Sequence, residues 1–344
     1  MNIFVGKNAQ GKTNLLESIY MCAMGRSFRT NKDREIINLD KDEAYIGAKI
    51  NTGRTEKFIE IKMEKDRQKR IRVNKIELKN FRELQSGLNV VVFSPDDLKL
   101  IKDGPGERRN FLDMSISQIR PVYKHNLSRY NKILFQRNNL LKSNKSKTDI
   151  MNLLEIFDLQ LAKVGTEIIM TRNEFVEKLC EIATKIHNNI TLGKEELNLV
   201  YVSNVDFINQ NNSKIEKNFL AQLRANANKD LITGITSIGP HRDDMEVKIN
   251  NIDSRAFASQ GQQRTIVLSI KLSEVEIIKI DKGIYPVLLL DDVFSELDIE
   301  RRKYLTMSFN EMQTIITSTD SIDLEEIKEI DKTIFFIDNG KIIM

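Results

Sequence analysis

Apolar residues follow two patterns along this chain, and each pattern predicts a different kind of element. Continuous apolar runs at residues 2–5, 89–93 and 286–290 are typical of strands that are buried on both faces of a sheet. Residues 13–24 and 266–277 instead place apolar side chains three or four positions apart, which indicates helices with one buried face. The start of the chain therefore predicts a strand, a glycine-containing loop and a helix in direct succession.

The middle of the chain changes its pattern twice. Residues 44–76 alternate between apolar and polar positions, which predicts an antiparallel meander. Helical spacing then dominates over residues 106–228. Shorter strands and hairpins are predicted at residues 197–202, 245–251 and 333–343. We therefore expect a discontinuous head, residues 1–118 and 232–344, with a mainly helical arm, residues 119–231, inserted into it.

The loop after the first strand carries a G-x-x-x-x-G-K-[ST] phosphate-binding motif. Its residues are Gly6, Lys7, Asn8, Ala9, Gln10, Gly11, Lys12 and Thr13. The two glycines let the backbone wrap a phosphate without a Cβ in the way, and the amides at the helix start attract the anion. Lys12 is predicted to reach the β- and γ-phosphates, and the Thr13 hydroxyl is predicted to bind Mg²⁺. The flanking strand and helix supply the context that this motif requires, which argues against a chance match.

Two adjacent carboxylates, Asp291 and Asp292, end the apolar run at residues 286–290. Such a pair is costly at the end of a buried strand unless a cation lies there, and Mg²⁺ held against phosphates supplies that charge. Asp291 is the candidate metal ligand, and Asp292 is the candidate for polarising the attacking water. The alternative is an ordinary strand end with solvated acids.

A second segment suited to anions is Ser259-Gln260-Gly261-Gln262, at the start of a long predicted helix. Ser259 is a natural N-cap, and Gly261 permits close approach by a ligand. The chain has one lysine-bearing phosphate loop, so this segment and the loop meet either within one molecule or across a dimer. Taken alone, the segment also fits an ordinary capped helix.

Composition narrows the class of protein. A chain of 344 residues is long enough for two domains. No apolar run is long enough to cross a bilayer and no signal-peptide pattern is present, so we expect a cytoplasmic protein without a membrane partner. Cys22 and Cys180 lie on apolar helical stretches and indicate buried thiols in a reducing compartment. The three histidines are scattered, which argues against a zinc site.

The net charge is only +4, but basic residues recur between residues 120 and 147 with no acidic residue among them. Apolar residues at helical spacing accompany them, which predicts a basic amphipathic helix suited to a DNA backbone. The candidate DNA-binding residues are Lys124, Arg129, Lys132 and Arg137. A solvated helix face is the alternative. The absence of an aromatic-rich stacking platform favours contact with duplex backbone.

Taken together, these motifs resemble an ABC-type ATPase head of the SMC-like branch. Residues 259–262 resemble the signature motif, which in that family binds the γ-phosphate of ATP held by the partner subunit, and residues 296–298 resemble the D-loop. More specifically, the chain resembles the RecF family of bacterial DNA replication and repair proteins, in that family's motif order. The segments that carry this second resemblance are residues 6–17, 25–30, 93–98, 108–113, 239–244 and 290–298.

The resemblance implies an α/β fold, with a mixed sheet, an antiparallel meander, a P-loop core and an inserted helical arm. It implies ATP and Mg²⁺ as cofactors and a homodimer that forms on ATP. Catalytic roles fall to Lys12, Asp292 and Ser259, and metal binding falls to Thr13 and Asp291. The remaining nucleotide contacts are implied for Gly6, Lys7, Asn8, Ala9, Gln10, Gly11, Asn14, Gly261, Gln262 and Asp298.

Three departures from the family pattern concern activity. RecF chains usually carry a further strand before the phosphate loop, and only residues 2–5 precede the loop here, so the chain is expected to be short at its N-terminus. Asp292 stands where most ABC proteins have glutamate, a feature shared with RecF proteins. Ser318-Thr319 follows a strand where many ABC proteins carry a switch histidine, and Thr319 is a candidate γ-phosphate contact. The last two features favour slow hydrolysis.

The function implied by the resemblance is a recombination mediator with weak DNA-stimulated ATPase activity. It would close as a dimer on duplex, gapped or junction DNA, with RecR and RecO as partners, and support recombinase loading, replication-fork repair and the SOS response. One rival is an ATP-binding DNA clamp with negligible hydrolysis, and the aspartate at position 292 is consistent with this alternative. A transporter subunit and a nuclease-associated head are disfavoured, because the chain carries neither a switch histidine nor a metallo-nuclease cluster.

Overall fold

A computed structural model describes residues 1–30, 32–53, 55–79, 84, 86–307, 311–319 and 331–343. The chain divides into two compact units. The sheet unit comprises Met1–Asp97 and Glu274–Met344, and the helical unit comprises Leu98–Ser273. These divisions differ from the predicted borders near residues 118 and 232, and the assignment of a head and an arm stays a prediction.

The described elements begin with a strand, and runs of consecutive strands and of consecutive helices follow. The strands are β1 (Asn2–Val5), β2 (Glu43–Asn51), β3 (Glu56–Glu64), β4 (Arg67–Val73), β5 (Ile76–Glu77), β6 (Val90–Phe93), β7 (Leu197–Val202), β8 (Asp244–Ile249), β9 (Ile252–Asp253), β10 (Val287–Asp291), β11 (Thr314–Ser318), β12 (Thr333–Asp338) and β13 (Lys341–Ile343). The helices are α1 (Lys12–Met24), α2 (Lys99–Lys102), α3 (Pro105–Ile119), α4 (Pro121–Leu141), α5 (Lys147–Thr191), α6 (Asn212–Thr233), α7 (Ser254–Phe257), α8 (Gln260–Lys282) and α9 (Ile299–Met307).

A six-stranded sheet forms the core of the sheet unit, in the order β13-β12-β1-β11-β10-β6. All of its neighbouring pairs are parallel except β12 and β13. The pairing register sets Val5 beside Ser318 and Asp291 beside Thr317. Because the carboxyl ends of parallel strands share one edge of a sheet, this register brings the phosphate loop and the carboxylate strand together. The predicted α/β class is confirmed.

The predicted meander is confirmed as the antiparallel sheet β2-β3-β4-β5. Its alternating apolar residues pack against the buried face of α1, where Met21 and Cys22 contribute to the same core cluster as Ile59 and Ile61. Burial raises the pKa of the Cys22 thiol to about 11. The meander therefore holds the helix that follows the phosphate loop.

The helical unit is built around α5, a helix of 45 residues that begins at the N-cap Ser146. The helices α4 and α6 and the sheet β7-β8-β9 accompany it. Asn250 and Asn251 both have positive φ angles, as a two-residue type I′ hairpin turn requires. Within the described ranges, no helix is both long and apolar enough to cross a membrane.

Arg137 is a correction to the predicted DNA-binding stripe, because it is completely buried inside the helical unit. Its guanidinium pairs with Asp158 at 2.6 Å and with Asp230 at 2.7 Å, and it donates to the Thr236 hydroxyl at 2.9 Å. Burial raises the pKa of Asp158, and the positive charge of Arg137 opposes that rise. Arg137 thus neutralises two buried acids and does not face DNA.

Arg137→Ala is expected to lower the free energy of unfolding by about 3 to 5 kcal/mol, because it leaves two buried carboxylates without their cation. Urea denaturation followed by circular dichroism measures this change. Arg129→Ala is the matched control, since Arg129 lies exposed on the same helix, and its effect is expected to stay within about 0.5 kcal/mol. Equal unfolding midpoints for the two variants would contradict the assignment.

Candidate nucleotide-binding site

The phosphate loop connects β1 to α1 and depends on its two glycines for different reasons. A Cβ at Gly6 would collide with the carbonyl oxygen of Ile337. Gly11 adopts a φ of +94°, which side-chain-bearing residues rarely adopt. Gly6 therefore permits close approach of the backbone, and Gly11 permits the turn into the helix.

Lys12 lies inside the curve of this loop. It is only 7% exposed, and its ammonium donates to the carbonyl oxygens of Gly6 at 2.5 Å and Lys7 at 2.9 Å. The helix α1 has no side-chain N-cap and no acidic residue in its first turn. Its first amides therefore lack a side-chain acceptor, and an anion would satisfy them. The ammonium of Lys12, the first amides of α1 and the glycine backbone together form a site that suits a phosphate group.

The start of α1 and the ends of β10 and β11 meet beside the loop. The Thr13 hydroxyl donates to the Asp291 carboxylate at 2.9 Å, although 278 positions separate the two residues. The same Asp291 oxygen accepts a hydrogen bond from the Thr317 hydroxyl at 2.8 Å. Thr317 was not predicted from the sequence, since its place opposite Asp291 follows only from the register of β11 against β10.

The oxygen atoms of Thr13 and Asp291 suit a hard divalent cation such as Mg²⁺. The described residues contain no group of three or more His, Cys, Asp or Glu that would hold a metal by themselves. A cation at Thr13 and Asp291 would thus take its other ligands from phosphates and water, which is the usual manner of Mg²⁺ in nucleotide sites.

The other predicted acidic residues occupy the connection after β10. Asp292 adopts a φ of +54°, and its amide donates to the carbonyl oxygen of Thr317 at 3.3 Å. Asp298 is exposed, accepts from the Arg301 amide at 3.0 Å and pairs with the Arg301 side chain. It therefore acts as a cap for α9, and its predicted nucleotide contact stays a prediction, as does that of Thr319.

The C-terminal hairpin holds the far side of the loop. Asn339 donates its amide to the Gln10 side chain, and Gly340 donates its amide to the Gln10 carbonyl oxygen at 3.1 Å. Asn14, in the first turn of α1, accepts a hydrogen bond from Arg29 at 3.0 Å. The loop is thus fixed by residues from both ends of the chain. The predicted C-terminal hairpin is confirmed, but no sequence signal indicated its contact with the loop.

The signature turn lies in the helical unit, at the start of α8. Ser259 is exposed; its hydroxyl accepts from the Gln262 amide at 3.2 Å, and its own amide donates to the Gln262 side chain at 2.8 Å. This reciprocal pair is a capping box, which fixes the turn around Gly261. The predicted N-cap role of Ser259 is therefore confirmed, while its contact with nucleotide stays a prediction.

A series of hydrogen bonds between side chains links this turn to α5. Gln262 donates to Glu195 at 3.0 Å, and the other oxygen of Glu195 lies 3.1 Å from His187 Nε2. His187 is completely buried, and its Nδ1 lies 3.2 Å from the Ser269 hydroxyl. The orientation of Gln262 thus depends on the long helix, a connection that the sequence did not reveal.

The predicted basic stripe on α4 is shorter than expected. Arg129 and Lys132 are exposed and Lys124 is half-buried, while Arg137 is excluded by its burial. The basic residues of the meander are instead paired with acids, as with Arg70 and Glu64 at 2.8 Å. Lys124, Arg129 and Lys132 thus remain the candidate DNA-binding residues.

Comparison with known proteins agrees with this geometry. The family model of the RecF/RecN/SMC N terminal domain matches residues 1–342. The DNA replication and repair protein RecF of Alkaliphilus oremlandii is 47% identical, covering 99% of this chain and 93% of that protein. RecF of Clostridium botulinum is 50% identical, covering 99% and 92%. A solved structure of the recombination mediator protein RecF with ATP, in the RecFOR pathway, superposes with a TM-score of 0.91 at 38% identity and covers 99% of this chain and 90% of its own.

The parallel sheet, phosphate loop and signature turn define an ABC-type ATPase head of the SMC-like class. Sequence identities of 47% and 50% to RecF proteins, over 99% of this chain, indicate one family within that class. The chain belongs to the RecF family of DNA replication and repair proteins, so the predicted family is confirmed.

Thr317→Val is expected to weaken Mg²⁺-dependent ATP binding about fivefold, because a hydrogen bond to the candidate metal ligand Asp291 is lost without a change of shape. Isothermal titration with Mg·ATP measures the dissociation constant. Thr314→Val on the same strand is the control, since Thr314 is equally buried and its hydroxyl bonds Met312. Equal affinities for the two variants would exclude the proposed role.

Proposed function

We propose that this chain is an ATP-dependent DNA-binding recombination mediator in which two copies close on nucleotide. One observation carries this proposal. The phosphate loop, Lys12 and the Thr13–Asp291 pair form a cradle from the sheet unit alone, while the helical unit presents a rigid signature turn with Ser259 exposed. A cradle and an exposed capping turn are the two halves of a composite nucleotide site.

In this proposal Lys12 and the amides of α1 bind the phosphates of ATP, and Thr13 and Asp291 hold Mg²⁺. Ser259 and Gly261 of one chain then cap the nucleotide held by the other chain. Asp292 orients the attacking water, and hydrolysis reopens the dimer. The shorter acid at position 292 and the threonine at position 319 favour slow hydrolysis. The proposed DNA-stimulated ATPase is therefore weak and works as a switch.

The proposed DNA contact is the backbone of a duplex near a gap or junction, bound by Lys124, Arg129 and Lys132. A related protein of known structure is a recombination mediator of the RecFOR pathway, which supports RecR and RecO as partners. Recombinase loading, replication-fork repair and the SOS response are the processes that such a mediator would serve, in the cytoplasm.

The alternative is a DNA clamp that binds ATP with negligible hydrolysis. The observation that favours it is the position of Asp292, whose short side chain starts from a left-handed backbone conformation. Phosphate release in the presence of duplex DNA separates the two. Turnover above that of a Lys12→Ala variant supports the ATPase, whereas ATP-dependent dimers without turnover support the clamp.

Ser259→Arg is expected to preserve ATP binding by each chain and to abolish ATP-dependent dimers, because a bulky cation would occupy the capping position. Nucleotide affinity and mass by light scattering measure the two effects. Ser213→Arg carries the same change at an exposed site on α6 and should still dimerise, whereas Lys12→Ala should lose ATP binding itself. A Ser259→Arg variant that dimerises with ATP would rule out the composite site.

Replacing Lys124, Arg129 and Lys132 by glutamine is expected to weaken duplex binding and to reduce the slope of log K against log salt by about 2 to 3, since each lost phosphate contact removes about 0.9. Fluorescence anisotropy over a salt series measures this slope. The same triple change at Lys214, Lys217 and Lys229, all exposed on α6, is the charge-matched control. An unchanged slope in the α4 variant would place the DNA surface elsewhere.

A further inference from the structure

A cavity of about 250 Å³ lies within the helical unit. Three helices and one loop line it, with residues at helical spacing on each helix. Its polar rim and walls include Arg109, Asn110, Asp113, Asn131, Arg172 and His241. Leu127, Tyr130 and Ile168 give it an apolar floor. The cavity has room for several waters, at about 30 Å³ each, and approaches the smallest small-molecule sites, at about 300 Å³.

Two sequence motifs that the nucleotide site does not use meet at this cavity. Residues 108–113 supply one wall, and residues 239–244 supply the loop opposite. Arg108 joins the motifs through a bidentate pair with Asp244, at 2.7 and 2.8 Å, and Arg109 donates to the carbonyl oxygen of Asp243 at 2.7 Å. These bonds fix the walls, so the cavity is preformed.

Several lining groups are fully engaged in holding that shape. The Arg172 guanidinium contacts Asp113 at 2.7 Å, Tyr123 at 2.9 Å and the Pro240 carbonyl oxygen at 2.7 Å. His241 Nε2 lies 3.0 Å from the Thr236 carbonyl oxygen, and the Tyr130 hydroxyl lies 2.8 Å from Nδ1. Burial lowers the pKa of His241 to about 4, so this ring is neutral at pH 7 and its Nδ1 accepts a hydrogen bond from the Tyr130 hydroxyl.

Other lining groups keep unused hydrogen-bonding capacity. Among the described residues, Arg109 has the Asp243 carbonyl oxygen as its one hydrogen-bond acceptor, and Asn110 and Asn131 are exposed with no side-chain hydrogen bond. Asp113 uses only Oδ1 towards Arg172 and Tyr123. The negative charge of Asp113 neutralises the positive charge of Arg172. The lining therefore carries one net positive charge, that of Arg109.

Burial, and next the charge of Arg172, lower the pKa of Arg109. The charges of Asp244, Asp243 and Asp113 offset only part of this effect. The Arg109 guanidinium is thus held beside a second cation and partly out of water, an arrangement that an anionic ligand would relieve. The Oδ2 atom of Asp113 would accept a hydrogen bond from a donor on the same ligand. The apolar floor would pack against a ring or the face of a sugar.

We propose that this cavity binds a phosphate ester of mononucleotide size, with its phosphate on Arg109, Asn110 and Asn131 and its hydroxyl or amino donor on Asp113. A free nucleotide and the phosphorylated end of a nucleic-acid strand offer the same chemistry. The cavity shares no residue with the phosphate loop, so the proposal can be tested independently of the proposed ATP cycle.

The test uses the full chain carrying Lys12→Ala, so that the phosphate loop does not compete for the probe. Isothermal titration is performed with dAMP, with inorganic phosphate, and with a trinucleotide that carries either a terminal phosphate or a terminal hydroxyl. Asn131→Asp places a negative charge at the rim and is expected to weaken binding of the recognised probe about tenfold. Asn139→Asp makes the same change on the same helix at an exposed residue outside the cavity, and should leave affinity unchanged.

If Asn131→Asp weakens dAMP binding and Asn139→Asp does not, the site is supported with a free nucleotide as its ligand. If the weakening is confined to the phosphorylated trinucleotide, the site is supported with a strand end as its ligand. Undetectable binding of every probe, equal affinity in the two aspartate variants, or inorganic phosphate binding as tightly as the organic probes would overturn the proposal.

Discussion

The contact between the Thr13 hydroxyl and the Asp291 carboxylate is the constraint on which the candidate site depends. It joins the helix that follows the first strand to a strand 278 positions away, at 2.9 Å. Parallel pairing of β1 with β11, and of β11 with β10, is what sets these residues side by side. Because Thr317 bonds the same oxygen of Asp291, a shift in the register of β11 would remove a support of the metal ligand as well as the alignment of the loop.

In the helical unit, buried charged side chains connect the helices to one another. Arg137 and Arg172 are buried cations that bind acids and carbonyl oxygens from other segments, and they fix how the helices pack. Such pairs contribute little net stability against apolar residues of the same size, but removal of one partner is costly. Hydrogen bonds that join Glu195 to Gln262 and to the buried His187 likewise fix the signature turn. Capping geometry and helix packing are therefore coupled in this unit.

Much of the site could be predicted from the sequence because its signals are local. Glycine spacing identified the phosphate loop, and apolar runs identified β1, β6 and β10. Thr317 was missed because its role arises from strand register, which no local pattern encodes. Arg137 was misassigned although a signal was present: it lies three or four positions from Ile133 and Leu140, on the buried face of α4. The run of basic residues favoured a solvent-facing arginine, whereas the apolar spacing placed it in the core, where Asp158 and Asp230, far away in sequence, neutralise its charge.

The central claim is that each chain carries half of a nucleotide site. Sedimentation velocity of the unaltered chain, with Mg²⁺ and a slowly hydrolysed ATP analogue, tests it most directly. The account predicts that the monomer mass doubles when the analogue is added and returns when the analogue is removed. A chain that binds one analogue per molecule with high affinity, yet sediments as a monomer at saturating analogue, would contradict it.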